Sequence, residues 1–313
     1  MPWLSVVVPV RNEAAGIVQV LEPLQGLRGE IEIIVADGGS EDGTVGLAGP
    51  LADQVIGSAP GRALQMNAGA ALASGEVLLF LHADTRLPEG FLGMIRAVMP
   101  ESLPVTSVPS SVIPNYSTAI PISSPVIPIS SPVIPANAGI HTDPQTTPSH
   151  KQESSAQPDP SMDPRVREDD VKGGPDSRAH TNCETAQWGR FDVCLSPSSP
   201  ALNVVAWMMN QRSRLTGICT GDQAIFVRRD LLNQVGGYAD IPLMEDIDLS
   251  KRLKRFSPPA CIRTPLSTSS RRWQQNGVIR TILLMWSLRL QYWAGVSPVR
   301  LAEKYYPARQ LEK

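Results

Sequence analysis

The sequence predicts an α/β protein built on a mostly parallel central sheet and interrupted in its middle by a long proline-rich insertion. Three observations carry that prediction. The first hundred residues alternate short apolar runs with helical repeats. Between about Leu103 and Gln187 the alternation stops, and about half of the chain's 29 prolines fall there. From Trp188 the regular patterning returns.

The elements of the first part read in order. "LSVVVPV" is a buried strand, "AAGIVQVLEPLQGL" the helix after it, and "IEIIVADGGS" a second strand running into a glycine-rich turn. "GRALQMNAGAALASG" is an alanine-rich helix ended by Gly75, and "EVLLFLHAD" is a third strand. Three strands reaching one edge imply a parallel, Rossmann-like sheet with ligand groups gathered at its carboxyl ends.

The middle segment, 103–187, opposes both kinds of regular structure. It carries a seven-residue repeat in "ISSPVIPISSPVIP" (122–135), and proline at nearly every third or fourth position denies helix and interior strands. Its later part is polar and poor in aromatics, a disorder signature. A structureless loop of this length inside a domain points to an insertion. "SPVIPANAGIHTDP" and "MDPRVREDD" resemble peptides translated from dispersed palindromic repeat elements of bacterial genomes. That resemblance implies a bacterial source and a segment without catalytic duty; a partner-binding linker is the alternative. His141 and His150 lie inside it and are discounted as ligands.

After the insertion come "WGRFDVCL", an alternating strand, "ALNVVAWMMNQRSRLTG", a helix, and then "GDQAIFVRRDLLNQVGGY" and "PLMEDIDLSKRLKRF". Removing the insertion leaves roughly 230 of the 313 residues, enough for one α/β catalytic domain with a helical tail. The tail contains "VIRTILLMWSLRLQYWAGV" (278–296), which Arg280, Arg289 and Gln291 make too polar to span a bilayer. Ile282, Leu283, Trp286, Leu290 and Trp293 fall close to a 3.6-residue repeat, so an amphipathic helix packed on its own domain is expected. Peripheral docking on a membrane surface is the alternative.

The formal net charge of −2 gives no basic footprint and argues against nucleic acid as a partner. The N-terminus lacks the positive region and cleavage site of a signal peptide, so a cytoplasmic protein is expected. Cys183, Cys194, Cys219 and Cys261 are too far apart for a Cys-x-x-Cys motif and are expected as reduced thiols.

The residues that could carry chemistry sit at the predicted strand ends. The first strand ends in Pro9-x-x-Asn12-Glu13 and the second in Asp37-Gly38-Gly39-Ser40-x-Asp42-Gly43-Thr44. Asp37 could accept from the N–H of a pyrimidine base, with glycines letting the base approach the backbone. Equally, the segment could be a tight turn capping the next helix through Ser40 or Asp42. These two segments together resemble family 2 glycosyltransferases of the GT-A fold, in which they bind the nucleotide of a sugar donor. "GRALQMNAGAALASGEVLLFLHADTRLP", "WGRFDV", "SRLTGICTGDQAIFVRRDLL", "GGYADIPLMEDIDLSKRLKR" and "RRWQQNGVIRTILLMW" resemble a bacterial subgroup associated with radical-SAM or selenium-domain proteins. Some members of that subgroup are assigned to arsenosugar biosynthesis.

The resemblance covers 1–100 and 188–300 and skips the insertion. It implies a nucleotide-sugar-binding half over 1–102, an acceptor-binding and catalytic half over 188–270, and a helical tail over 271–313. Pro9, Asn12, Glu13 and Asp37 would line the nucleoside site of a UDP- or GDP-type donor, with Arg62 and Asn67 near the base and phosphates. An arginine fork matches phosphate oxygens, although Arg62 could also be a solvated helix start. Where the family carries Asp-x-Asp for Mg²⁺ or Mn²⁺, this chain has His82-Ala83-Asp84. Magnesium can be held by one carboxylate with substrate phosphates, so Asp84 suffices as the metal ligand. His82 could face ribose, donate to phosphate, ligate Mn²⁺ or be a structural group.

Glu245, Asp246 and Asp248 open a helix whose first turn favours acids in any case. By resemblance Asp246 is the general base that takes the acceptor proton as the anomeric carbon is attacked with inversion, and Glu245 positions it or the acceptor. Asp222 and Gln223 would form part of the acceptor and donor-sugar pocket. "SSRRW" is similar to the Gln-x-x-Arg-Trp motif of processive relatives, but Ser269 stands in the Gln position, which argues for a non-processive enzyme. Arg272 and Trp273 could contact diphosphate or acceptor, or pack the tail. The competing functions are a sugar-nucleotide nucleotidyltransferase and a non-catalytic binding remnant. "PVRNEAAG" lacks the glycine-rich basic loop expected of the first.

Overall fold

A computed structural model describes residues 2–99, 127–128 and 186–306. All of them fall in one unit built on a single sheet. Four parallel strands form its centre: β1 (Leu4–Val10), β2 (Ile31–Asp37), β3 (Gln54–Gly57) and β4 (Val77–Phe80). Leu4, Val6, Val7 and Val8 of β1 are completely buried, as a parallel strand covered on both faces requires. Beyond β4 the order continues through β8 (Phe226–Arg228) and β7 (Trp188–Ser196) to β9 (Ala260–Ser269) and β5 (Thr85–Arg86). At the far edge β6 (Ile127–Pro128) pairs with β3 antiparallel, and an edge is where proline is tolerated in a sheet.

The sheet is mixed. Its long pairings, β1 with β2 and β7 with β9, are parallel, whereas β8 runs antiparallel to both β4 and β7. β7 therefore runs in the same direction as β1, β2 and β4, and its carboxyl end lies at the same edge of the sheet as theirs.

Two strands of the first hundred residues, β3 and the two-residue β5, escape the sequence pattern. β3 has four residues, two of them Gln54 and Gly57, too few to show an alternation. The helix expected over "AAGIVQVLEPLQGL" is α1 (Ile17–Leu21), followed by a 3₁₀ turn over Glu22–Leu27 with Pro23 in its first turn. α2 (Thr44–Ala48) follows β2, and α3 (Arg62–Leu72) lies on β1 and β2. A Cβ at Gly69 would stand 2.4 Å from Val7 Cγ1, so α3 reaches β1 only because that position is glycine. α4 (Phe91–Val98) closes the first half. Of the expected insertion 103–187, only the β6 pair, Ala186 and Gln187 belong to the described residues; the rest lies outside them.

The second half supplies α5 (Pro200–Thr216), α6 (Arg229–Gln234) and α7 (Glu245–Leu253). The tail is α8 (Arg271–Asn276), α9 (Val278–Trp293) and α10 (Pro298–Tyr305). Here the structure corrects the expected packing. α9 buries Thr281, and packs Leu288, with Leu284 and Tyr292 beside it, against Leu243, Met244, Ile247 and Leu301. Of the stripe read from the sequence, only Ile282 packs inward, against Leu195, Leu202, Val205 and Ala206; Leu283, Trp286, Leu290 and Trp293 are exposed. The helix is apolar on two faces, and a periodicity alone does not say which one the domain covers. Among the described residues no helix is long and apolar enough to cross a membrane, and Cys194, Cys219 and Cys261 are free thiols.

Candidate active site

The carboxyl ends of β1 and β2 are tied together by the turn after β2. Val10 stands opposite Asp37 in register, so both chains leave the sheet side by side. Asn12 has a φ of 56°, a left-handed conformation that asparagine tolerates. Its N–H donates to Ser40 Oγ at 2.8 Å and its Oδ1 accepts from Glu41 N–H at 2.9 Å. Glu13 N–H donates to Thr44 Oγ1 at 2.8 Å and Ala14 N–H to Asp42 Oδ2 at 3.0 Å. Asp37 is buried and accepts from Gly39 N–H at 3.1 Å, Ser40 N–H at 3.0 Å and the Ser40 hydroxyl. The tight turn is thus present, with Asp42 rather than Ser40 bonded to Thr44 at the start of α2. A carboxylate offers about four acceptor positions, and with Ser40 N–H also reaching Oδ1 at 3.2 Å the turn itself fills those of Asp37.

Beyond β4, His82 and Ala83 turn inward and are buried, while Asp84 is exposed. Asp84 lines a cavity of about 350 Å³ together with Glu13, Gln19, Arg86, Ser269 and Arg271. The Glu13 carboxyl is raised above the usual carboxylate range, first by burial and then by the Asp84 charge, with Arg271 opposing. Two carboxylates and two guanidiniums therefore share this space at the sheet's carboxyl edge.

The start of α7 faces the other side of His82. Met244, with a φ of 74°, sets the helix entry, and Ala224, with a φ of 47°, ends the 3₁₀ turn Gly221–Gln223 beside it. Together with Asn12 these are the non-glycine residues of positive φ among those described, and each adjoins a candidate segment. Strain of this kind collects where the surrounding structure holds a functional geometry.

Asp246 is buried; its Oδ2 accepts from Gly221 N–H at 2.8 Å, and its Oδ1 has no partner. Its carboxyl is pushed up to about 6, by burial first and then by the Glu245 charge, against the pull of Arg62 and His82. Glu245, also buried, pairs with Arg62 Nη1 at 3.3 Å across from the start of α3. His82 Nδ1 lies 3.5 Å from Asp222 Oδ1, and its buried Nε2 is unpartnered. Burial would raise the Asp222 carboxyl, but His82, Arg62 and Arg272 bring it down to about 2.

Gly221 is the hub of this arrangement. A Cβ there would stand 2.3 Å from His82 Nε2 and 3.0 Å from Asp246 Oδ2. Gly221→Ala is expected to displace both groups and to lower turnover by about 10- to 100-fold, measured by steady-state kinetics beside a melting curve that confirms folding.

Residues 5–120 match the family described as Glycosyl transferase family 2. This part of the chain is similar to family 2 glycosyl transferases. The match takes in β1 to β5 of the mixed sheet and does not reach the level of a subgroup. No curated protein matches the chain in sequence. Among solved structures, S. aureus TarS residues 1–349 is similar at 13% identity and a TM-score of 0.48, covering 86% of this chain and 61% of that one. The mannosyltransferase PcManGT of Pyrobaculum calidifontis, crystallised with GDP-Man and Mn²⁺, is similar at 16% identity and a TM-score of 0.43, with coverages of 86% and 56%. Glucosyl-3-phosphoglycerate synthase of Mycobacterium tuberculosis, in complex with phosphoglyceric acid, follows at 16% and 0.44, with coverages of 85% and 71%. The chain spans less than two thirds of the first two, and likenesses this distant carry no assignment of substrate.

Within the matched part and its continuation, some expected site residues have protein partners of their own. Asn67 donates to Tyr238 O and accepts from Tyr238 N–H, both at 2.8 Å, which spends its amide on holding the loop before α7. Gln223 is completely buried and bonds Ser213 Oγ at 3.0 Å and Thr220 N–H at 3.3 Å. Trp273 packs beside Leu195, Leu202 and Val205, and Arg272 lies over the Tyr305 ring at 4.8 Å.

Three groups were not singled out from the sequence. Arg271, the first arginine of "SSRRW", is the one in the cavity with Glu13 and Asp84. Gly221 stood unremarked beside Asp222. Tyr238 has a buried hydroxyl without a partner, close enough to Asp246 and Glu245 for their charges, after burial, to raise it well above the ordinary phenol range. The paired arginines were a visible signal for the first; nothing in the sequence marked the other two.

Proposed function

We propose that the protein is an inverting, non-processive glycosyltransferase that moves a sugar from a UDP- or GDP-type nucleotide donor to an acceptor hydroxyl. The observation that carries this reading is Asp246. One of its oxygens is fixed by Gly221 N–H, the other is buried and free, and its carboxyl is held at about 6. A general base is most useful with a pKa near the working pH and a lone pair not already committed. Asp246 Oδ1 receives the acceptor proton as the acceptor oxygen forms its bond to the anomeric carbon and the bond to the nucleoside diphosphate breaks. Glu245, anchored to Arg62, fixes Asp246 and keeps its carboxyl raised.

On the donor side, the Pro9–Glu13 and Asp37 turns take the nucleoside, and Arg271 faces the diphosphate. Arg62 is placed at the sugar, because its ion pair belongs to Glu245. Asn67 and Gln223 hold loops and make no ligand contact in this reading.

The fold implies a divalent cation. The residues fit one: Asp84 is exposed, with only the Thr85 hydroxyl, among the described residues, at 3.3 Å on its carboxylate, and Glu13 lines the same cavity. Among the described residues no group of three or more His, Cys, Asp or Glu could hold a metal alone. Asp84 would therefore bind Mg²⁺ or Mn²⁺ together with donor phosphate oxygens. When bound, the cation neutralises charge growing on the leaving diphosphate. His82 keeps Asp222 ionised and packs its Nε2 on Gly221, between the donor and acceptor sides of the site.

Titration of UDP and GDP with and without Mn²⁺ tests the donor side. Wild type should bind one of them at least about tenfold more tightly with Mn²⁺, and Asp84→Ala should lose that gain. Equal affinities in all arms would defeat the metal assignment.

A further inference from the structure

We propose that α9, with a basic pocket at its carboxyl end, docks the protein on an anionic bilayer surface. Ile279, Leu283, Trp286, Leu290 and Trp293 recur every three or four residues, and their exposures are 75, 63, 57, 65 and 80%. A row of five large apolar side chains on one face of a single helix is not ordinary scatter of surface hydrophobics. α5, which shares the Ile282 cluster with α9, exposes Val204, Trp207 and Leu215 as well.

The charge on these helices is of one sign. α5, α8 and α9 contain Arg212, Arg214, Arg271, Arg272, Arg280 and Arg289 and not one Asp or Glu. Where α9 meets α5 and α7, Arg212, Lys251 and Arg289 line a pocket of about 200 Å³ with Tyr292 and Trp293. Lys251 Nζ lies 4.7 Å from the centre of the Tyr292 ring, and Arg212 Nε is buried without a partner. None of the three cations forms an ion pair with a carboxylate among the described residues.

An exposed apolar stripe with tryptophans beside a patch of unbalanced cations is the composition that lies in a lipid headgroup layer. Basic pockets between helices at that depth take lipid phosphates. α9 would lie in the plane of the surface, because it cannot cross it. A second copy of the chain is a poorer occupant. A two-fold contact through α9 sets Arg280 and Arg289 of each copy together with no acid on α5, α8 or α9 to pair them.

The test is sedimentation of the purified full chain with phosphatidylcholine vesicles, with and without phosphatidylglycerol. Binding is expected only with phosphatidylglycerol and should fall as salt rises. Trp286→Ser/Leu290→Ser and, separately, Arg289→Gln should each weaken it about tenfold or more, with melting curves unchanged. Binding that ignores phosphatidylglycerol, equal binding by the variants, or a wild-type dimer in light scattering that Trp286→Ser/Leu290→Ser dissociates would each overturn the proposal.

Discussion

Asp246→Asn is expected to reduce sugar transfer by about 10²- to 10⁴-fold while leaving nucleotide affinity nearly unchanged. The asparagine keeps an oxygen for Gly221 N–H but cannot take the acceptor proton. The same substitution should make the protein more stable at neutral pH. The native Asp246 carboxyl, at about 6, lies above its ordinary value of 3.8, so the folded state holds the proton more tightly than the unfolded chain does. Stability contributed by this group therefore falls as pH rises from about 4 to about 6 and stays low above that. Removing the buried charge should recover about 1 to 3 kcal/mol at pH 7, with the gap closing near pH 4. Urea unfolding of both proteins at the two pH values measures it. A base destabilised by its surroundings and active because of them gives this pair of opposite effects; a structural aspartate would lose stability on replacement.

Asp192→Ala should have the largest effect on stability. Arg190 is completely buried, and its guanidinium is shared between Asp192 and the carbonyl of Asn210 at 3.2 Å, while Arg214 closes on the other Asp192 oxygen. Deleting the one carboxylate leaves a buried arginine uncompensated, which costs about 3 to 5 kcal/mol. The network continues toward the site. Asn210 O accepts from Ser213 Oγ at 3.0 Å, Ser213 Oγ accepts from Gln223 at 3.0 Å, and Gln223 bonds the Thr220 N–H that precedes Gly221. Urea midpoints read the loss, and a matching fall in turnover of the folded fraction would show that the network also holds the catalytic loop. Replacing Arg190 and Asp192 together by apolar residues should cost less than Asp192→Ala alone.

Most of the frame was legible because the residues that build it act locally. β1, β2, β4 and β7 announce themselves as apolar runs ending in turn residues, and Asp84 and Asp246 sit where a strand ends and a helix begins. β3 was too short to carry a period. That Asn67 bonds Tyr238 and Gln223 bonds Ser213 was not legible, because these partners are distant in sequence or belong to another element, and only the fold brings them together. Of two adjacent arginines, the turn at Ser269 and Ser270 decides which enters the cavity; Arg271 does, whereas Arg272 lies on Tyr305. The outward face of α9 was hidden for a different reason. A helix with two apolar faces satisfies the packing pattern either way, and only the position of Leu288 against Leu301 shows which face the domain uses.

The most direct test is the pH dependence of kcat/KM for release of nucleoside diphosphate from a sugar donor, between about pH 5 and about pH 8. The rate of the wild type should rise with pH through an apparent pKa near 6, the value at which Asp246 is held, and Asp246→Asn should be slow and lack that step. Turnover by Asp246→Asn that matches the wild type, or a wild-type profile flat across this range, would contradict the assignment of Asp246 as the base.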